Sequence, residues 1–203
     1  MANLTQTLTS GAPLRRVEAY SDGVFAIAAT LLALGVGTDA IGSVTTDQDL
    51  WAGLTAQSTA FLGIVIAFLV LCNMWAIQAR QIGSLTLVSS RLLVFNALRL
   101  LGVIFVPFVT SVATHYDDLT IGRLLMPLDI FWIVLFGVLT GWHARSAGLV
   151  GEERTDRPGV RTDLFTIGLA AAVVVLAPFV GLWAFALFAL EAPLLRLFRL
   201  PRR

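Results

Sequence analysis

The chain has 203 residues, of which 57% are hydrophobic and 13% charged, and its mean hydropathy is +0.84. Soluble domains carry roughly 25% charged residues, so the composition excludes an ordinary soluble protein and indicates one integral membrane domain, residues 1–203. The net charge of +1 gives no indication of a nucleic-acid partner, and the single cysteine, Cys72, excludes an internal disulfide framework.

The apolar stretches predict an all-α fold with six membrane-spanning helices. A helix that crosses a bilayer needs about 20 largely apolar residues. Runs of this kind cover residues 17–37, 53–78, 91–112, 123–144, 163–180 and 183–200. An N-terminal tail, 1–14, precedes them, and a charged loop, 146–162, separates the fourth from the fifth. The last two spans are short and adjoin near Pro178 and Gly181, so a re-entrant pair is the alternative there.

The loop charges predict the orientation. If six helices alternate, Arg123 is the only basic residue on one side, which also carries Asp39, Asp47, Asp49, Asp117 and Asp118. The basic residues of the tail, the loops and the C-terminus all lie on the other side. The positive-inside rule therefore predicts that both termini are cytoplasmic.

The first helix has two different faces. At about 100° per residue, one narrow stripe contains Arg16, Tyr20, Gly23, Ile27, Leu31 and Leu34, with Thr30 at its edge. Glu18, Asp22, Phe25 and Ala29 lie opposite. The apolar part of the stripe either contacts lipid or core, or forms stacked rings around an axis shared by several copies. Such rings gate ions by dewetting, and the periodicity alone does not decide between these interpretations.

Asp22 is expected to hold the first helix in place. It lies inside the membrane, where an unpaired carboxylate is unfavourable. The predicted topology brings polar residues of the second and third helices to the same depth: Asn73, Trp75, Gln78, Asn96 and Arg99. We expect Ser21 and Asp22 to bond to some of these groups, with Arg99 pairing with Asp22 or Glu18. A direct ion site at Asp22 is the less favoured alternative.

Two carboxylates in the later helices are also candidates for function. Asp129 and Glu191 lie within apolar stretches, where they either pair between helices or relay protons. The chain has only two histidines, His115 and His143, so we expect no metal cluster and no cofactor. No nucleophile–base pair or phosphate-binding loop is visible, which argues against an enzyme.

The motif Arg16-x-x-x-Tyr20-Ser21-Asp22 resembles the RxxxFSD signature of the endosomal/lysosomal potassium channel family and its bacterial homologues. The continuation from Gly23 to Leu32 is similar to the family's first helix, and Trp75, Asn96 and Pro107-Phe108 match later landmarks. The chain departs from the family where Tyr20 replaces Phe, where Gln78 stands in place of a titratable His, and at Arg99.

The resemblance implies a six-helix subunit and a homotetramer whose four first helices line the pore. It also implies that apolar side chains of that helix control selectivity and closure; these fall on Ile27, Leu31 and Leu34, with Thr30 as a polar layer. We therefore expect a channel of the bacterial inner membrane that passes potassium and other monovalent cations. The chain has no TVGYG-like filter segment. Its expected partners are the lipid bilayer and further copies of the same chain. A proton-coupled transporter and a non-conducting scaffold are the alternatives.

Overall fold

A computed structural model of the chain describes residues 11–35, 41, 44–151, 160–185 and 187. These residues form six α-helices. The helices are α1 Gly11–Leu32, α2 Asp47–Ala56, α3 Ser58–Ile82, α4 Ser90–His115, α5 Thr120–Ser146 and α6 Val160–Val180. Short 3-10 helices follow α1 at Ala33–Gly35 and α6 at Gly181–Phe185.

Five stretches of the described chain are long and apolar enough to cross a membrane. They are Leu14–Gly35, Ser58–Ile82, Ser90–His115, Thr120–Ser146 and Arg161–Val180. The prediction of an all-α membrane protein is confirmed. The predicted tail and loop fall partly outside the described residues, which omit 1–10 and 152–159.

The predicted second span, 53–78, is wrong in its boundaries, because a separate short helix precedes α3. Thr46 caps α2: its hydroxyl oxygen accepts from the backbone N–H of Asp49 at 3.2 Å, and the Asp49 carboxylate accepts from the N–H of Thr46 at 3.0 Å. At the other end Gln57 leaves helical geometry, and its N–H bonds back to the carbonyl of Leu54. Hydropathy does not register this break, since it responds to polarity and not to backbone turns.

The predicted sixth span, 183–200, begins in a different conformation from the one expected. Gly181 has φ of +59°, a left-handed conformation that ends α6, and the chain continues as the 3-10 helix Gly181–Phe185. The remainder of that span apart from residue 187, and with it Glu191, lies outside the described residues.

The helices pack around α4. Helix α1 lies against α3 and α4, α5 lies against α4, and α6 lies against α5. Large side chains from four of these helices, Leu32, Leu71, Val103 and Ile130, are buried together in the main core. Among the described helices, α1 packs mainly against α3 and α4.

At each end of the bundle an arginine side chain joins neighbouring helices. Arg123 donates to the carbonyl of Asp117 through Nε and to the carbonyl of Pro178, at 3.0 Å, through Nη1. These carbonyls lie near the C-terminal ends of α4 and α6, where helical carbonyls lack partners and favour a cation. At the opposite end Arg145 of α5 forms an ion pair with Asp163 of α6.

The cap of α2 predicts a pH dependence. Hydrogen bonds from the hydroxyls of Thr46 and then Thr45 lower the pKa of Asp49 below its ordinary value. A carboxyl with a lowered folded-state pKa stabilises the helix above its unfolded-state pKa, and this is lost as the pH falls through the folded-state pKa. We therefore expect hydrogen exchange to show falling protection factors over residues 50–56 as the pH is lowered through that range.

The variant Asp49→Asn tests this cap at neutral pH. It is expected to have lower protection over α2 and no pH step of its own, whereas Asp47→Asn on the same helix keeps the step. Wild-type protection in Asp49→Asn would show that the carboxylate does not hold the helix end.

Candidate functional site

Helix α1 is held by one face and presents the other outward. Ser21, Phe25, Ala28 and Leu32 recur at helical spacing and are all buried against the bundle. On the opposite side Ile27 and Leu31 of α1 are 61% and 41% exposed, and Leu34, in the 3-10 helix that continues α1, is 75% exposed. The stripe that the sequence singled out is therefore the part of α1 that no other described element of this chain covers.

The polar residues along this stripe are also at the surface. Arg16 and Tyr20 are exposed, so the tyrosine hydroxyl that distinguishes this motif needs no buried partner. Thr30 is exposed, and its hydroxyl donates to the carbonyl of Ile27 in its own helix at 2.8 Å. That bond satisfies the hydroxyl locally, as is common for threonine in helices.

A chain of buried hydrogen bonds joins α1 to α4 and α3. The amide of Asn96 donates through Nδ2 to Ser21 Oγ at 3.2 Å, and its Oδ1 accepts from Gln78 Nε2 at 3.1 Å. All three side chains are less than 6% exposed. We call Ser21, Asn96 and Gln78 the anchor chain, because it links three helices where the hydrocarbon offers no alternative partner.

Asp22 has a different partner at the edge of the same region. Its Oδ1 accepts from Trp75 Nε1 of α3 at 2.8 Å, and both residues are exposed. A hydrogen bond to an ionised carboxylate is stronger than one between neutral groups. The two adjacent motif residues, Ser21 and Asp22, thus bond to α4 and α3 respectively.

Two of the expected partners lie elsewhere. Asn73 is exposed on α3 and has no hydrogen bond to Ser21 or Asp22 within the described chain. Arg99 does not pair with Asp22 or Glu18, contrary to expectation; its guanidinium donates to Gln81 Oε1 and to a backbone carbonyl of α3. The helix crossing carries Arg99 to the side of α4 that faces α3 and α5, away from the acidic residues of α1.

Gln81 is the residue of this region that sequence reasoning missed. It follows Gln78 by three positions, so both amides fall on one face of α3. That spacing was the signal available in the sequence. In the structure Gln81 accepts from Arg99 and donates to the carbonyl of Gly137 at 2.9 Å, which joins α3 to α5.

The remaining polar candidates of the described helices, Asp129 and His143, lie apart from one another on α5. Among the described residues, no cluster of three or more His, Cys, Asp or Glu could hold a metal ion. Asp129 lies against Gly102 of α4, and its buried Oδ2 has no hydrogen-bond partner in the described chain. His143 contacts the Ser89 hydroxyl at 3.0 Å, next to the N-terminus of α4.

The chain is similar to known ion channels. The family model described as endosomal/lysosomal potassium channel TMEM175 matches residues 16–107, from α1 into α4. A protein named as a potassium channel in Streptomyces collinus is 30% identical over 160 residues, covering 77% of this chain and 76% of that protein. Another, in Chamaesiphon minutus, is 29% identical over 180 residues, covering 83% of this chain and 85% of that protein.

A solved structure supports the same fold. The crystal structure of a lysosomal potassium-selective channel TMEM175 homolog from Chamaesiphon minutus matches with a TM-score of 0.70 at 22% identity. The match covers 93% of this chain and 100% of the other.

The anchor chain predicts a stability change for Asn96→Ala. The variant removes two buried hydrogen bonds and leaves Ser21 and Gln78 without their partner, at a cost of about 1–3 kcal/mol for each unsatisfied group. We expect a clearly lower unfolding midpoint in detergent, measured by the loss of helical circular dichroism. Asn73→Ala is the matched control and is expected to unfold close to the wild type. Equal midpoints for the two variants would show that the anchor chain contributes no stability.

Proposed function

Because this chain belongs to the TMEM175 family of endosomal/lysosomal potassium channels, we propose that it conducts potassium along its first helix, through an apolar constriction formed by Ile27, Leu31 and Leu34. The family is one of potassium channels and not of enzymes. Residues Arg16, Tyr20, Ser21 and Asp22 organise the cytoplasmic end of that helix, and Thr30 supplies a polar layer between the apolar ones.

The observation that carries this proposal is the division of α1 into two faces. Its inner face is buried and hydrogen-bonded to α3 and α4, while its outer face carries a continuous apolar stripe that the described chain leaves uncovered. A single helix cannot enclose a path for ions. Several copies around a common axis would place these stripes face to face, and closed cyclic symmetry is the usual way for identical subunits to assemble. We propose four copies.

The proposed mechanism is control of hydration. Rings of Ile and Leu offer a passing cation no ligand that replaces its water shell, so a narrow ring excludes both water and ion. A small widening lets water fill the ring, and the hydrated ion then passes. Since such a constriction selects by hydration and diameter, we propose that it prefers potassium only moderately over other monovalent cations.

The proposed orientation follows from charge. Arg80, Arg91 and Arg145 lie at one end of the bundle, and Asp47, Asp117 and Asp118 lie at or beyond the other. We place the arginine-rich end in the cytoplasm of a bacterial cell, with the protein in the inner membrane and both termini inside. The acidic end then meets cations arriving from outside.

Polar substitution of the constriction tests the pore. Ile27→Asn and Leu31→Asn are expected to make the rings easier to wet, with each 1.4 kcal/mol of lowered barrier raising the flux about tenfold. We expect higher potassium flux and a lower potassium-to-sodium permeability ratio in liposomes. Leu34→Asn is expected to act in the same direction.

The control places the same side chain on a different exposed helix face. Val175 of α6 is 65% exposed and apolar, so Val175→Asn introduces equal polarity away from α1. We expect its flux per assembled channel to match the wild type. If the variants of Ile27, Leu31 and Leu34 all assemble and keep wild-type flux and permeability ratio, these residues do not form the constriction. Flux that saturates with substrate and requires a proton gradient would instead favour a transporter that uses Asp129.

A further inference from the structure

Arg99 is a buried charge that the anchor chain does not use. It lies within α4, is 3% exposed, and forms no ion pair with a carboxylate in the described part of the chain. Its partners are neutral: Nη1 donates to Gln81 Oε1 at 2.9 Å, and Nη2 donates to the carbonyl of Met74 at 3.3 Å. Burying a charge without an opposite charge is unfavourable for stability. Its presence therefore points to a role in positioning.

Arg99 contacts two residues of α3 that are two helical turns apart. Met74 and Gln81 are seven residues apart in the sequence, about 10 Å along a helix. Gln78, the α3 member of the anchor chain, lies between them. The guanidinium is planar and rigid, so bonds from two of its nitrogens fix the position of α3 along α4 more closely than a single donor would. We call Arg99, Gln81 and the Met74 carbonyl the arginine clamp.

Helix α5 is shaped to admit the clamp. A Cβ atom at Gly137 would lie 3.0 Å from Arg99 Cζ and 3.2 Å from Nη1, tighter than ordinary van der Waals contact. A Cβ atom at Gly141, one turn further, would lie 2.5 Å from Gln81 Nε2. Gly-x-x-x-Gly spacing commonly lets two membrane helices approach closely. Here Gly137 and Gly141 form a notch that receives polar side chains from α3 and α4.

We propose that Arg99 is a positioning residue for conduction. The arginine clamp sets the register of α3 on α4, which places Gln78 opposite Asn96 and so fixes Ser21 and the pore helix α1. The glycine notch braces the clamp from α5, so that a helix with no described contact to the conducting stripe takes part in holding its geometry. This inference rests on the proposed function, because it assumes that α1 lines the pore.

Two variants disturb the clamp in different ways. Arg99→Met removes the charge and both hydrogen bonds while keeping most of the volume. Gly137→Ala keeps every polar group but forces the guanidinium to shift by a few tenths of an ångström. We expect each to change the potassium-to-sodium permeability ratio of assembled channels in liposomes by about threefold or more, the size of effect that residues acting at a distance have. Arg99→Lys, which keeps the charge without the planar fork, is expected to restore the ratio only partly.

Matched controls separate the clamp from general effects. Gly168→Ala introduces the same methyl group on α6, where a Cβ meets nothing within 4 Å. Arg91→Met removes an exposed arginine from the start of α4. Both are expected to keep the wild-type ratio. Size-exclusion chromatography of each variant reports the amount of assembled protein, so that the ratio is compared for equal assemblies.

A double-mutant cycle tests the route through the anchor chain. If the clamp acts by placing Gln78 and Asn96, then Arg99→Met adds little to the change in permeability ratio caused by Asn96→Ala, whereas independent effects would add. Additive changes overturn the proposal. So does a wild-type ratio in both Arg99→Met and Gly137→Ala, even if less protein assembles, since that result assigns Arg99 to stability alone. If Arg99→Met does not assemble, the double-mutant cycle is measured with Gly137→Ala and Asn96→Ala and is interpreted in the same way.

Ile27→Asn, measured in the same liposomes, separates this inference from the proposed function. A changed ratio in Ile27→Asn together with a wild-type ratio in the clamp variants would support α1 as the pore helix and contradict the role of Arg99. Wild-type flux and permeability ratio in Ile27→Asn, Leu31→Asn and Leu34→Asn together would contradict the proposed constriction itself.

Discussion

A polar side chain inside a bilayer must find its hydrogen-bond partner within the protein, because the hydrocarbon offers none. In the anchor chain, Asn96 of α4 bonds both to Ser21 of α1 and to Gln78 of α3. Three helices share one buried amide, so none of them can slide or rotate without leaving a polar group unpaired. These two bonds help to hold α1 in place, and with it the orientation of the apolar stripe.

Because α1 packs against α3 and α4 through one face, its opposite face stays exposed in the described chain. The polar ties lie on the face that packs against α3 and α4, while Ile27, Leu31 and Leu34 stay exposed. This separation suits a constriction that works by hydration, because a small movement of apolar rings changes wetting without breaking a polar contact inside the subunit. A filter built from charged ligands would require the opposite arrangement, with polar groups on the conducting face.

The other arginines of the bundle obey the same constraint in different ways. Arg123 neutralises carbonyls near helix ends, and Arg145 pairs with a carboxylate of the next helix. Arg99 alone among these three is buried against neutral groups, and α5 provides two glycines where it lies. The glycine and the arginine fit each other closely, since a Cβ atom at Gly137 would lie 3.0 Å from Cζ of the guanidinium and crowd it. This mutual fit is why a residue far from the stripe is expected to matter for conduction.

The class of the protein, the all-helical fold and the two faces of α1 follow from the sequence alone, because apolar runs and a period of 3.6 residues are local properties. The sequence also limits the partners of the motif to a few polar residues at matching depth. The packing of the helices selects among them: Trp75 bonds to Asp22, Asn96 bonds to Ser21, and Arg99 bonds to Gln81. The break that separates α2 from α3 escaped hydropathy for a related reason. The depth of a residue along a helix can be counted from the sequence. Which side chains meet depends on how the helices cross and how closely their backbones approach. Both are set by packing over the whole bundle.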